Sequence, residues 1–233
     1  MEGISCEYLS HTGSDNAIAN VARVSFAGGE NWDELPEGYS EEKSEKLIKY
    51  LAKHEHTSPF RHNAIVIRCK APIFLARQLM KHQVGMSWNE VSRRYVDSVP
   101  EFFSPESWRS RPEGSLKQGS GEEAVEDFAW FNHTKCELDH CEPQQAYRKT
   151  VEMCLSLYND MLDAKIAPEL ARMVLPQSMV TEWVWTGSLM AFAHTYNLRI
   201  KENAQVEAQE FAKELDRIIR PLFPVAWECL TSK

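Results

Sequence analysis

The chain has 233 residues, with 26 Lys+Arg against 34 Asp+Glu and a formal net charge of -8. Hydrophobic residues make up 43% and charged residues 26%, which excludes collagen-like, low-complexity and largely disordered chains and leaves enough apolar material for one packed domain. No apolar run reaches the roughly 18 residues of a membrane span, and no basic stretch followed by an apolar one opens the chain, so membrane and secreted classes lose weight. The acidic balance argues against broad nucleic-acid binding, and the six cysteines, scattered through a long chain, fit reduced thiols in the cytoplasm better than a disulfide framework.

The opening of the chain shows little pattern. Leu47, Ile48 and Leu51 predict a helix over Ser44 to His54, stopped by Thr57-Ser58-Pro59. Ala64 to Lys70 alternates Ile65, Ile67 and Cys69 with Val66, Arg68 and Lys70, the period of a half-buried strand. Pro72 suits the start of the next helix, predicted from Ile73 to about Gln83. On it Arg77, Gln78, Lys81 and His82 share an arc of roughly 140°, by itself more often a solvated face than a binding face. Gly85 breaks this helix, and Ser87 to Tyr95 reads as a polar loop in which Arg93 and Arg94 offer planar forks to phosphate and Glu90 an acceptor.

Residues 100 to 125, with Pro100, Pro105, Pro112, Gly114, Gly119 and Gly121, read as a long loop or insertion. Tyr147, Val151, Leu155, Tyr158 and Leu162 form an amphipathic helix of core character ending before Pro168. Pro168 to Leu175 is predicted as a short helix in which the charges of Glu169 and Arg172 can meet. Val180 to Thr186 is strand-prone, and Ser188 can cap a helix whose apolar face is Leu189, Phe192, Ala193, Tyr196 and Ile200, with Arg199 at its edge. A last helix uses Ala204, Ala208, Phe211, Leu215 and Ile219, with Pro221 and Pro224 as terminators. The spacing of His133, Cys136, His140 and Cys141 matches no common zinc pattern, so no metal site is expected.

Four blocks, in order, resemble the flavin-dependent thymidylate synthases. His56-Thr57-Ser58-Pro59-Phe60-Arg61-His62 is similar to that family's His-x-(Thr/Ser)-Pro-Phe-Glu-His block. Ala71-Pro72-Ile73-Phe74-Leu75-Ala76-Arg77-Gln78 resembles the helix entering its signature. The signature is Arg-His-Arg, seven residues, then Ser; here Lys81-His82-Gln83 is followed by eight residues and Ser92, inside Asn89-Glu90-Val91-Ser92-Arg93-Arg94-Tyr95. The fourth block is Pro168 to Pro176, followed by Trp185-Thr186, Leu198-Arg199 and Ala204-Gln205-x-Glu207. Ser188 and Met190 stand where the family usually has Asn and Arg, and His194 where it often has Asn. Lys81 keeps the charge of the first signature arginine without its fork, and Gln83 keeps a donor without a charge.

The resemblance implies an α+β fold, a single domain spanning 1–233 with a central, mostly antiparallel sheet flanked by long helices, and an insertion or long loop around 100–145. It implies reductive methylation of dUMP to dTMP, with methylenetetrahydrofolate as carbon donor, FAD as hydride carrier and NADPH as reductant, in a cytoplasmic homotetramer with shared sites and no nucleic-acid or membrane partner. Carried over by position, Gln78, Leu79, Met80, Lys81, Glu90, Val91, Ser92, Arg93, Arg94 and Arg172 would bind dUMP. Ser58, Lys81, His82, Gln83, Glu90, Ser188, Leu189, Met190 and His194 would bind FAD. Arg199 would be the catalytic cation, stabilising charge on the uracil ring, with no cysteine nucleophile. The competing expectation is a flavin or nucleotide-binding protein of the same fold that has lost catalysis.

Overall fold

The computed structural model describes residues 3–25, 32–96, 98–112, 119–121, 123–132 and 137–232. They form two compact units interleaved along the sequence, one of Ile4–Lys70, Arg77–Glu90 and Glu182–Lys233, the other of residue 3, Ala71–Ala76 and Val91–Thr181. Both helices and antiparallel strands are present, so the expected α+β class holds.

The first unit is organised on a four-stranded sheet of order β1-β2-β6-β3, formed by β1 (Ser5–Thr12), β2 (Ala64–Pro72), β6 (Val180–Gly187) and β3 (Met86–Glu90). The predicted alternation of β2 holds, since Ile65, Ile67 and Cys69 are all fully buried. On β6, Trp183 and Trp185 point into the core and meet Phe211, while Trp88 of β3 stacks on Trp183 with ring centroids 4.2 Å apart. Around the sheet lie α1 (Asp15–Arg23), α2 (Glu41–Lys53), α6 (Leu189–Arg199), α7 (Val206–Ile219) and α8 (Pro224–Thr231). Helix α2 begins three residues earlier than its apolar spacing predicts, because the Ser40 hydroxyl accepts from the Lys43 N–H and caps it.

Several sequence expectations are corrected here. Pro224 starts α8 rather than ending the chain's last helix, since a proline fits the first helical turn, and Asp15 accepts from the Val225 and Ala226 N–H groups at 2.8 and 3.0 Å. Helix α3 (Ile73–Leu79) ends four residues short of Gln83. The His82 N–H turns back to the Leu79 carbonyl at 2.9 Å, and Gly85, at φ +72, completes the turn in a conformation that side-chain-bearing residues avoid. Lys81, His82 and Gln83 therefore sit on a turn rather than on a helical arc. Ser87 to Glu90, expected in a loop, belongs to edge strand β3, paired antiparallel with β6 from Met86 opposite Gly187 to Glu90 opposite Trp183.

The second unit holds an antiparallel hairpin of β4 (Phe128–Asn132) and β5 (Glu137–Cys141), then α4 (Pro143–Asp163) and the short α5 (Pro168–Ala171), which continues as a tight turn over Arg172–Val174. Within the predicted long loop of 100–145 there is thus paired strand. Tyr158 of α4 is buried as expected, while Tyr147, Val151, Leu155 and Leu162 on the same predicted face are only half-buried. Arg172 Nε donates to the Glu169 backbone carbonyl at 3.3 Å rather than pairing with its carboxylate. His133 and Cys136 lie outside the described residues.

Candidate active site

Edge strand β3 and the strand-to-helix junction β6–α6 are joined where Ser188 N–H donates to the Gly85 carbonyl at 3.2 Å. Beside this junction, within the first unit, lies a cavity of about 710 Å³. Its walls carry Lys81, His82 and Gln83 from the turn after α3, and Ser188, Met190 and His194 from the start of α6. Two sequence blocks about a hundred residues apart thus meet on one surface, as the pairing of Met86 with Gly187 requires. Helix α6 starts here because Ser188 accepts from Ala191 N–H at 3.3 Å and the buried Asn63 accepts from Leu189 N–H at 2.7 Å.

Arg199, at the far end of α6, returns to the same turn. Its Nε and Nη2 lie 3.1 and 3.0 Å from His82 Nε2, and Nη2 also reaches the Gln78 backbone carbonyl at 3.4 Å. A guanidinium can only donate, so His82 Nε2 accepts and the ring proton resides on Nδ1. Burial, the Arg199 charge and His194 together push His82 down to about 4, so it is neutral at working pH. Nη1 of Arg199 has no partner among the described residues and keeps its donors for a ligand. Behind Arg199, Gln78 Nε2 donates to Gln205 Oε1 at 2.6 Å and Gln205 Nε2 to Glu207 Oε2 at 2.8 Å, a chain ending on a buried carboxylate.

The depressed His82 has a consequence for stability. Between its ordinary value of 6.5 and about 4, the unfolded chain binds a proton that the folded chain does not, so this contribution is full above pH 6.5 and is lost as pH falls to 4. Urea unfolding of wild type against His82→Gln should show a shallower decline of stability over that range in the variant. Equal slopes would mean that His82 takes up its proton without cost.

The remaining expected site residues are placed as follows. Met80 is exposed after the end of α3, whereas Leu79 and Leu189 are fully buried and offer no surface to a ligand. Ser58, itself exposed, opens a tight turn whose Pro59 and Phe60 are buried, and Glu90 accepts from Trp88 Nε1 at 3.2 Å on β3. Val91, Ser92, Arg93, Arg94 and Arg172 belong to the second unit, where Arg94 Nε donates to Ser92 Oγ at 3.1 Å and Arg93 to the Ser98 carbonyl. Arg61 and Asn63 also line the cavity, and sequence reasoning does not single them out as ligands. The place of Arg61 in the first resembling block is a signal that could find it; Asn63 carries no sequence signal. Burial raises the Cys69 and Cys229 thiols, so neither is an activated nucleophile.

An α+β frame with a cavity that carries Arg61 and Lys81 beside a neutral histidine and a half-free arginine is a site of the kind that takes an anionic small molecule. Residues 7–225 match the family described as Thymidylate synthase complementing protein. Flavin-dependent thymidylate synthases of Thermus thermophilus and Kosmotoga olearia are 33% and 34% identical to the chain, over 94% and 93% of it and 72% and 85% of their own lengths. Among solved structures, a UMP/dUMP methylase, PolB from Streptomyces cacaoi bound with 5-Br dUMP, matches with a TM-score of 0.80 at 30% identity, covering 98% of this chain and 95% of that one. The chain belongs to the flavin-dependent thymidylate synthase family, a family of methyl-transferring enzymes.

Proposed function

We propose that this chain catalyses the reductive methylation of dUMP to dTMP, taking its carbon from methylenetetrahydrofolate, using FAD and NADPH, and working as a cytoplasmic homotetramer with shared sites. The observation that carries this is Arg199, a permanent cation fixed by His82 and the Gln78 carbonyl while its Nη1 stays free. Uracil C5 is a poor nucleophile until negative charge at the N3/O4 edge is stabilised, and a preorganised guanidinium does this without transferring a proton. His82 supports that role as an acceptor because it is neutral; a charged imidazolium there would repel Arg199.

The residues of the cavity fit a flavin nucleotide. A volume of about 710 Å³ lies in the range of roughly 300–1,000 Å³ usual for such ligands, and Asn63, one of the lining residues, has a buried Nδ2 with no hydrogen-bond partner among the described residues. Lys81, Gln83, Ser188 and His194 add polar groups to the wall, and Met190 and Ala191 add apolar surface for a ring. Bound FAD would supply hydride transfer. Val91 to Arg94 and Arg172 are proposed for dUMP phosphate, with Arg94 as the principal fork.

Incubation with dUMP, methylenetetrahydrofolate, NADPH and FAD is expected to yield dTMP. Flavin uptake without dTMP would replace this function with the binding-only alternative. The same assay with UMP tests a second substrate, raised by the UMP/dUMP methylase at TM-score 0.80.

A further inference from the structure

The charge on the cavity wall is one-sided. Arg61, from the tight turn Ser58–Arg61, and Lys81 both line it, and among the described residues no aspartate or glutamate does, although the chain as a whole carries a net charge of -8. Neither cation forms a hydrogen bond or ion pair among the described residues. His82 is neutral and adds no third charge. Asn63, 5% exposed and also lining the cavity, spends its Oδ1 on the Leu189 N–H, while its buried Nδ2 has no partner among the described residues. Two cations on one wall, unpaired among the described residues, suit a ligand that brings more than one negative charge.

Three wall positions also depart together from the family pattern. Arg61 stands where the resembling block has Glu, Lys81 where the signature has Arg, and Gln83 where it has the second Arg. The pattern places one carboxylate and two guanidiniums at these positions; this chain places a guanidinium, an ammonium and a neutral amide there. Met190, on the same wall, also stands where the family usually has Arg, so the cations missing at Gln83 and Met190 are offset at Arg61, where a guanidinium replaces a carboxylate, and the net charge of these four positions is kept.

We propose that Arg61 is an anion ligand of this cavity and, together with Lys81, holds the diphosphate of the flavin nucleotide. This rests on the FAD assignment above. Arg61 is exposed on its turn, so replacing it leaves the core intact.

The test is affinity for FAD and for riboflavin, which has no phosphate, measured by flavin fluorescence for the wild type, Arg61→Ala, Arg61→Glu, Arg61→Lys and the double variant Arg61→Ala with Gln83→Arg. Arg61→Ala should weaken FAD about 10- to 100-fold, the usual span for one charge-assisted hydrogen bond, and leave riboflavin unchanged. Arg61→Glu should bind FAD more weakly still, Arg61→Lys should keep most of the affinity, and Gln83→Arg should restore part of what Arg61→Ala loses. Unaltered FAD affinity in Arg61→Ala overturns the inference and leaves the FAD assignment standing. An equal loss for riboflavin also overturns it, by making Arg61 a structural residue. A loss seen for dUMP or methylenetetrahydrofolate but not for FAD overturns it by reassigning Arg61 to those anions. Failure of the wild type to bind any flavin overturns the FAD assignment itself.

Discussion

Replacing Arg199 with alanine is expected to lower the rate of dTMP formation at least about 100-fold while FAD is still taken up, because a preorganised donor aimed at developing charge is typically worth a factor of roughly 100 to 1,000. Stability should change little, since the guanidinium is only half-buried and its partners, the His82 ring and the Gln78 carbonyl, are acceptors that water can serve. Arg199→Lys should be intermediate at best. One ammonium cannot hold His82 and Gln78 and also present the free donors of Nη1. A second readout separates charge from packing: the Arg199 charge helps to depress His82, so in the alanine variant the His82 titration, followed by NMR, should move up from about 4. Undiminished dTMP formation by Arg199→Ala would remove the electrostatic role, and an unmoved His82 titration would remove the coupling between the two.

What the sequence discloses about this fold depends on how each element is buried. Strand β2 and helices α2, α6 and α7 are legible because large apolar residues recur on one side of each, Ile65 and Ile67 on β2, or Phe211 and Leu215 on α7. Strand β1 is not: it is an edge strand with only Cys6 buried, so no alternation is written into it. Helix α1 escapes the same reading because its inner side is Ala17, Ala19, Asn20 and Arg23 with one large apolar residue, Ile18. The end of α3 is hidden because Lys81 and His82 continue its polar spacing, and the turn that removes them from the helix depends on Gly85 and on bonds to Arg199, 117 residues away. Pro224 misleads for a similar reason, since the cap that makes it a helix start comes from Asp15.

The site divides in the same way. Resemblance by motif reaches Lys81 to Gln83 and Ser188 to His194 as separate strings, and their meeting on one cavity follows from the β3–β6 register, a long-range property with no local signal. The neutrality of His82 is equally hidden, because it arises from burial and from Arg199 rather than from neighbours in sequence. Asn63 looks like an ordinary loop residue until its Oδ1 is seen on the first turn of α6 and the residue itself among those that line the cavity.

The largest loss of stability is expected for Trp185→Ala. Trp185 is fully buried, and its ring meets those of Trp88, Phe192 and Phe211 at centroid distances of 5.5, 5.4 and 6.1 Å. Truncation to alanine opens a large void between β3, β6, α6 and α7 and should cost about 3–5 kcal/mol, read from urea unfolding. Trp185→Phe should cost much less than its lost volume suggests. The indole Nε1 of Trp185 is buried without a hydrogen-bond partner among the described residues, and a phenyl ring removes that unpaired donor, whose burial costs about 1–3 kcal/mol. The alanine variant should also take up flavin more weakly, because Thr186, Gly187 and Ser188 continue directly from Trp185 into the cavity wall. If phenylalanine proved as damaging as alanine, ring shape rather than the orphaned donor would govern this cluster; if alanine left flavin uptake untouched, the cavity would not depend on the seating of β6.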